Sequence, residues 1–324
     1  MLFDRTDLIN ALTDFKTIVE PEKDEENWWA GAPSVVFDAK DHKFWLAVRM
    51  RTGEGRRGSR GYEIRILNSN NGEDFSIVKK IHRKEMDVQV FERPALIMLP
   101  NKKFRLYGCS SFLGQWVIWK LDDVEYPMDL DPTTMEIILH PPLSDGPSAA
   151  LKGYKDPFVI WYKNKWHLTV NGEAHKTAAR PYHFISHDGF EWAPWPNDVV
   201  NGKPATFFET TGWHNWVTRP ACLIPLKIGV LLIYEGAHLN WHDAVYNLAT
   251  GMAYSPDLTH WHDLTPDEPL LKSTTPGDFH TWRYSHWLPV EGEMYVYWEG
   301  ARANNTFATR MAKFPLDDAL NSLI

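Results

Sequence analysis

The chain has 324 residues, a net charge of -8 at pH 7 with histidines neutral, 44% hydrophobic and 23% charged residues. That is the balance of a globular protein with an ample core. The acidic surplus excludes the broadly basic surface that nucleic acid or an anionic membrane would require, so neither is expected as a partner. The two cysteines, Cys109 and Cys222, are too few for a disulfide framework and read as buried, reduced thiols. Asp4, Arg5 and Asp7 interrupt the apolar residues at the N-terminus, which reads as no signal peptide, and no run is long enough to span a membrane. A cytoplasmic location is expected.

In chain order, residues 1–20 read as a short helical piece and then a strand, Phe15–Val19, followed by an acidic loop, Glu20 to Glu26. Trp28-Trp29 lead into β-rich runs at Ser34–Phe37, Lys43–Val48 and Tyr62–Leu67, the last alternating as a strand with one buried face does. A turn, Ser69 to Phe75, leads to a fourth strand, Ser76–Ile81. The basic run Arg51 to Arg60 is short and glycine-rich and reads as a solvated loop. Two further closing turns of the same kind are Ser186-His187-Asp188-Gly189 and Ser255-Pro256-Asp257-Leu258. Ser and Asp side chains bond backbone N–H groups two or three residues on, so these turns are structural. A second repeat instead makes a proline-rich detour through Pro127, Pro132, Pro141 and Pro142.

The outline recurs. Ala32-Pro33, Arg93-Pro94, Asp156-Pro157, Arg219-Pro220 and Arg283-Tyr284 each precede an apolar run, a tight turn and a second apolar run, at intervals of 61, 63, 63 and 64 residues. Near-equal steps of this length mark a repeat architecture. The expectation is an all-β, five-bladed β-propeller forming a single domain over 1–324, four antiparallel strands per blade, with blades near 28–82, 91–140, 154–200, 217–270 and 282–316. The fifth repeat supplies only three strands, and residues 15–20 are expected to complete it and close the ring, leaving no open sheet edge.

In a propeller the residues that lead into each inner strand, and those that leave each second strand, converge around the axis. The leading set includes Trp28, Trp29, Glu92, Arg93, Lys155, Asp156, Glu209, Trp213, His214, Arg219, His280 and Arg283; the leaving set includes Arg49, Asn171, His175, Glu235, His238, Glu299 and Arg302. Carboxylates facing arginines would serve as an ion-pair network between blades. The sixteen tryptophans point further, because indole faces stack on sugar rings while Asp, Glu, Arg and His bond hydroxyls, so many of them are expected to line a half-wet surface. Among the histidines, His214, His238 and His242 could gather, but no pair has zinc-ligand spacing, and no metal or cofactor is expected.

The repeat length, the Lys155-Asp156-Pro157 lead into the third blade, the Ser-x-Asp-Gly-x-x-Trp turn and the Leu232-Ile233-Tyr234-Glu235-Gly236-Ala237 strand end resemble the five-bladed β-propeller glycosidases, which include glycoside hydrolase families 43, 32 and 130. The resemblance covers residues 15–316 and implies a glycoside hydrolase acting on an oligosaccharide or glycoside. It carries the third-blade aspartate onto Asp156 and a central, calcium-associated histidine onto His286, which makes calcium the one ion to consider. The first-blade and fourth-blade acids of families 32 and 43 have no counterpart: Gly31-Ala32-Pro33 and Thr218-Arg219-Pro220 stand there. Glycoside cleavage needs two carboxyl groups. Asp156, Glu92 and Glu235 are the catalytic candidates, with Asp156 expected beside an arginine and Glu235 raised towards acid duty by burial. Substrate binding is expected from Trp28, Trp29, Arg93, Glu209, Trp213, His214, Arg219, Arg283, His286 and Glu299. The alternatives are a phosphorylase in which Arg93, Arg219, Arg283 and Arg302 hold phosphate, a carbohydrate-binding propeller without catalysis, and a protein-interaction scaffold.

Overall fold

The computed structural model describes residues 5–55, 60–141, 153–173, 178–196, 199–200, 203–240, 248–272 and 282–324. His175, His242 and His280 lie outside the described residues. A helix, α1 (Arg5–Thr13), and a strand, β1 (Lys16–Val19), precede a succession of antiparallel meanders. The first is β2 (Trp29–Asp38), β3 (Lys43–Arg51), β4 (Gly61–Ser69) and β5 (Ser76–His82). Next come β6 (Ala95–Met98), β7 (Phe104–Phe112), β8 (Gln115–Lys120) and β9 (Glu136–Leu139). The proline detour makes 3-10 turns at Pro127–Asp129 and Pro132–Thr134. A third meander is β10 (Gly153–Tyr162), β11 (Lys165–Glu173), β12 (Ala179–Ser186) and β13 (Ala193–Pro194), followed by a small hairpin of β14 (Val199–Val200) and β15 (Lys203–Pro204). Then follow β16 (Val217–Leu226), β17 (Gly229–Ala237), β18 (Ala249–Ser255) and β19 (His262–Asp263). The last strands are β20 (Trp282–Val290), β21 (Glu293–Ala301) and β22 (Phe307–Pro315), with β1 antiparallel on β22 and a short α2 (Asp318–Leu323) behind.

Single parallel bridges join the outer part of one meander to the inner strand of another: Trp116 to Gly153, Ala179 to Val217 and Phe307 to Trp29. The strands thereby fall into an eight-stranded and a twelve-stranded sheet, and neither closes on itself. The inner strands are also stitched to neighbouring meanders, three times to another inner strand and once, through Cys109, to the second strand β7. Ser34 Oγ accepts from Leu96 N–H at 2.9 Å, Cys109 Sγ from Asp156 N–H at 3.2 Å, Cys222 Sγ from Trp287 N–H at 3.4 Å and His286 Nδ1 from Val35 N–H at 3.2 Å. Both cysteines are free and buried, and each is spent as an acceptor between neighbouring meanders.

The inner strands share a bulge close to their first residues, and it corrects the alignment that the prolines suggest. Pairing resumes at Ser34 after Gly31, at Phe158 after Lys155 and at His286 after Arg283. In the fourth meander Arg219 pairs with Glu235, as Arg283 pairs with Glu299, so Arg219 stands level with Lys155 and Arg283. Tyr284, not Arg283, is level with Asp156. The bulge residues Ala32, Asp156 and Tyr284 have φ of 52°, 57° and 54°, a left-handed conformation that costs an L-residue about 1–2 kcal/mol. Proline at position 220 cannot adopt it, which is why its meander is built one residue differently.

The tryptophans are a second correction. Trp29, Trp45, Trp119, Trp282, Trp287 and Trp298 are fully buried, filling space within and between sheets; Trp282 stacks on Trp298 with centroids 4.2 Å apart. Twisted sheets arranged side by side diverge towards their outer edges, and indole rings are the largest side chains available to fill the wedge.

The closing turns are as read. In the third meander Ser186 Oγ accepts from Gly189 N–H at 2.8 Å and Asp188 Oδ1 from Phe190 N–H at 2.8 Å. Each glycine carbonyl of two such turns is then bonded by a tyrosine from another meander, Gly72 by Tyr297 (2.8 Å) and Gly189 by Tyr107 (3.0 Å). Gly72 has φ 74°, and a Cβ there would press on Tyr295 and Tyr297. Gly72→Ala should therefore cost at least the roughly 1–2 kcal/mol of a left-handed residue, read as a lower denaturation midpoint.

A buried histidine pair makes stability depend on pH. His167 Nε2 is 3.2 Å from Tyr162 O and must donate to it, so His167 Nδ1 accepts from His183 Nε2 at 3.0 Å. The His167 ring is thereby neutral. Burial lowers His167 to about 4 and His183 well below its ordinary value. The unfolded rings take up protons near pH 6.5 and the folded ones do not, so stability is full above that pH and falls as pH drops towards 4. Melts from pH 7.5 to 5 should show a falling Tm, with a shallower slope in His183→Gln than in the wild type.

Candidate functional site

The inner-strand bulges and the facing ends of the second strands bring four carboxylates together. Glu299, on β21, is completely buried. Its Oε1 accepts from Arg283 Nε at 3.0 Å and from Arg283 Nη2, and its Oε2 from Arg49 Nη2 at 3.0 Å. Arg49, on β3, also bonds Glu92 through Nη1. Glu235, on β17, accepts from Arg219 Nε at 2.6 Å through Oε2 and from the Tyr284 backbone N–H through Oε1. Asp156 is the least committed. Its Oδ2 lies 3.7 Å from Arg219 Nη1 and 3.4 Å from Asn171 Nδ2, and its Oδ1 has no hydrogen-bond partner among the described residues.

The guanidinium groups divide in the same way. Burial alone would lower Arg49 and Arg219, but Glu92 and Glu299 beside the first and Glu235 beside the second raise both above the usual arginine value. Arg93 is 1% exposed, none of its three side-chain nitrogens has a hydrogen-bond partner among the described residues, and burial lowers it. Burial pushes Glu92 up, yet Arg49, followed by Lys155 and Arg51, outweighs it and holds the carboxyl down at about 2. Glu299 is likewise held down against its burial by Arg283 and Arg49. Tyr284 lies among Arg49, Arg93, Arg219 and Arg283, with Arg219 4.5 Å and Arg93 5.9 Å from its ring centroid. Its hydroxyl is pushed up to about 12, by burial and then by Asp156. Burial, and then Arg93, lower His286 to about 3. With Nδ1 accepting from Val35, its proton is on Nε2.

Asp156, Glu92, Glu235, Arg93, Arg219, Arg283, Glu299 and Trp29 thus meet in or against one cluster. Trp29 is a floor beneath guanidiniums, with Arg51 3.6 Å and Arg283 4.9 Å from its ring. His286 lies below the cluster, 5.0 Å from the Phe158 ring. The remaining expected residues stand elsewhere. Trp28 lines a separate cleft of about 370 Å³ with Glu22, Tyr62, Glu63, Arg65 and His82. Trp213 packs on Tyr234 and donates to Thr265 O at 2.7 Å, while His214 bonds Thr218 Oγ1 at 2.7 Å and Asp263 Oδ2 at 3.1 Å. Glu209 is exposed. Arg302 pairs with Glu20 and lies 3.6 Å from Asp24, away from the cluster. Burial of Glu235 is as expected, but both its oxygens are occupied, leaving neither to carry a proton to a leaving group. No group of three or more possible metal ligands occurs among the described residues.

Tyr284 and Cys109 belong to the cluster and were not legible as such. Aligning the repeats on the basic residue, Lys155, Arg219 and Arg283, would have placed Tyr284 level with Asp156. Nothing in the sequence marks Cys109 as the acceptor for the Asp156 N–H.

The Glu299 cradle depends on a glycine. A Cβ on Gly31 would overlap the Glu299 carboxylate. Gly31→Ala should expel Glu299 from between Arg49 and Arg283 and cost on the order of 3–5 kcal/mol, the penalty for breaking a buried ion pair. Urea unfolding measures it, with a midpoint close to wild type as the contrary result.

No protein-family model and no curated protein matches the chain. Solved structures do. One named simply as a glycoside hydrolase aligns at TM-score 0.66 and 15% identity over 96% of this chain and 95% of that one. A glycosyl hydrolase from Bacteroides ovatus aligns at 0.65 and 15% identity, covering 94% and 95%. A β-1,2-mannobiose phosphorylase from Listeria innocua, in complex with β-1,2-mannobiose, aligns at 0.63 and 12% identity, covering 94% and 96%. At these identities the likeness is one of fold alone: the chain shares the fold of these three proteins.

Proposed function

We propose that the chain is a single-domain, five-bladed β-propeller whose meanders are the blades and whose β1 closes the last one, and that it cleaves a glycosidic bond in an oligosaccharide or glycoside by hydrolysis at the Asp156 cluster. The observation that carries the reading is the unequal commitment of the buried carboxylates. Glu235 and Glu299 are spent on arginines and backbone, whereas Asp156 keeps an unpartnered oxygen in a strained bulge, and strain of this kind collects at active sites. Asp156 is then the proton-transferring carboxyl. Glu92, held ionised by Arg49 and with a side chain 15% exposed, is the partner that activates water or stabilises developing positive charge.

A second reading is phosphorolysis. Its support is that Asp156 is the carboxylate with an oxygen to spare, since attack by phosphate requires only one protein carboxyl. A panel of aryl glycosides and short oligosaccharides, assayed with and without phosphate, separates the two. Turnover that needs phosphate selects phosphorolysis; binding of an oligosaccharide with no cleavage under either condition selects a non-catalytic carbohydrate-binding propeller. On hydrolysis, Asp156→Asn should lower turnover by about 10²-fold or more while leaving Tm nearly unchanged. An early-melting variant with full turnover would make Asp156 a structural residue.

A further inference from the structure

The cluster is not balanced in charge. Among the described residues, Arg49, Arg51, Arg93, Lys155, Arg219 and Arg283, six cations, act on four carboxylates, Glu92, Asp156, Glu235 and Glu299. Arg49, Arg219 and Arg283 each hold at least one of those carboxylates directly. Arg93 does not. It is buried, its guanidinium carbon is 5.3 Å from the Phe158 ring centroid and 5.9 Å from that of Tyr284, and its three nitrogens have no hydrogen-bond partner among the described residues. The N–H groups of a guanidinium form a planar fork matched to two oxygens. A buried guanidinium with an unused fork is costly in a fold that has no use for it.

We propose that Arg93 is the receptor for a carboxylate carried by the sugar substrate, so that the enzyme acts on an acidic, uronate-type glycoside. The inference rests on reading this cluster as the sugar site, and it names the substrate class. Free phosphate fits less well. Asp156 and Glu235 are the carboxylates acting on Arg93, and a dianion placed there would face both with one uncommitted guanidinium to offset it. A monoanionic, planar carboxylate needs only the one fork.

Calorimetric titration of the full chain with glucuronate and galacturonate, beside glucose, galactose and inorganic phosphate, tests the proposal. At least one uronate should bind and its neutral counterpart should bind at least about tenfold more weakly, with affinity reduced about tenfold or more in Arg93→Gln. Arg93→Lys, which keeps the charge and loses the fork, should recover only part of the affinity. Neither variant should melt below the wild type, because each removes a fork that has no hydrogen-bond partner among the described residues. Equal binding of uronate and neutral sugar, no uronate binding, or variants that melt early with unchanged affinity would each overturn the proposal, the last making Arg93 a structural residue. Phosphate binding that Arg93→Gln abolishes, without uronate binding, would overturn it in favour of a phosphate co-substrate. Arg93-dependent uronate binding without cleavage of any glycoside would instead keep the receptor and sink the hydrolase reading.

Discussion

The cost of burying charge where the inner strands converge governs the centre of this molecule. A carboxylate or guanidinium removed from water is tolerable only when paired and hydrogen-bonded, and losing one member of a buried pair costs several times what a surface pair contributes. Glu299 is completely buried because Arg49 and Arg283 approach it from two strands, and Gly31 leaves room for it to sit there. Glu235 is buried because Arg219 and a backbone N–H take its oxygens. These groups make the centre specific in geometry, since a shift of one strand by one residue would strand a charge.

The backbone device that permits this is the bulge near the start of the inner strands β2, β10 and β20. It inserts a residue without a cross-strand partner, turns the backbone towards its neighbours and puts Ala32, Asp156 and Tyr284 in a left-handed conformation. Sulfur, hydroxyl and imidazole acceptors of one meander then bond inner-strand N–H groups of another, from the inner strands through Ser34, Cys222 and His286 and from the second strand β7 through Cys109. The Asp156 N–H would otherwise be an orphan donor inside the protein. Its bond to Cys109 holds the backbone that carries the carboxyl, so the position of the Asp156 side chain depends on a thiol of the preceding meander.

Much of the fold was legible because its signals are local. Alternation, the Ser-x-Asp turns and a period above sixty residues each follow from backbone hydrogen bonding over a few residues, and β1 was readable as the missing partner of the last strands because those strands were one short. The site was legible only as a set of residue types. Proline was a misleading register mark, because Pro220 and Pro157 occupy different levels of the bulge, and Tyr284 was hidden by it. Trp213 and His214 were read as a sugar shelf, yet they pack on Tyr234 and Asp263, a partnership between distant strand ends that no spacing announces. Which arginine takes which carboxylate is decided by the directions in which the converged side chains point, and the sequence offers every pairing alike.

What distinguishes Asp156 and Arg93 from the groups around them is that the fold could have joined them and did not. They stand level in neighbouring meanders, each acts on the other electrostatically, and each is buried. A centre selected for stability alone would have closed that pair or replaced it with packed apolar side chains, which is commonly neutral or favourable. Instead, among the described residues, an oxygen of the one and all three side-chain nitrogens of the other have no hydrogen-bond partner, beside carboxylates that arginines hold. Sequence and structure agree in most of this protein, and a local failure of that agreement is where function is expected. On the proposed reading the committed pairs are the scaffold, and the two remaining groups, one to exchange a proton and one to hold an anion, are the chemistry that the scaffold would position.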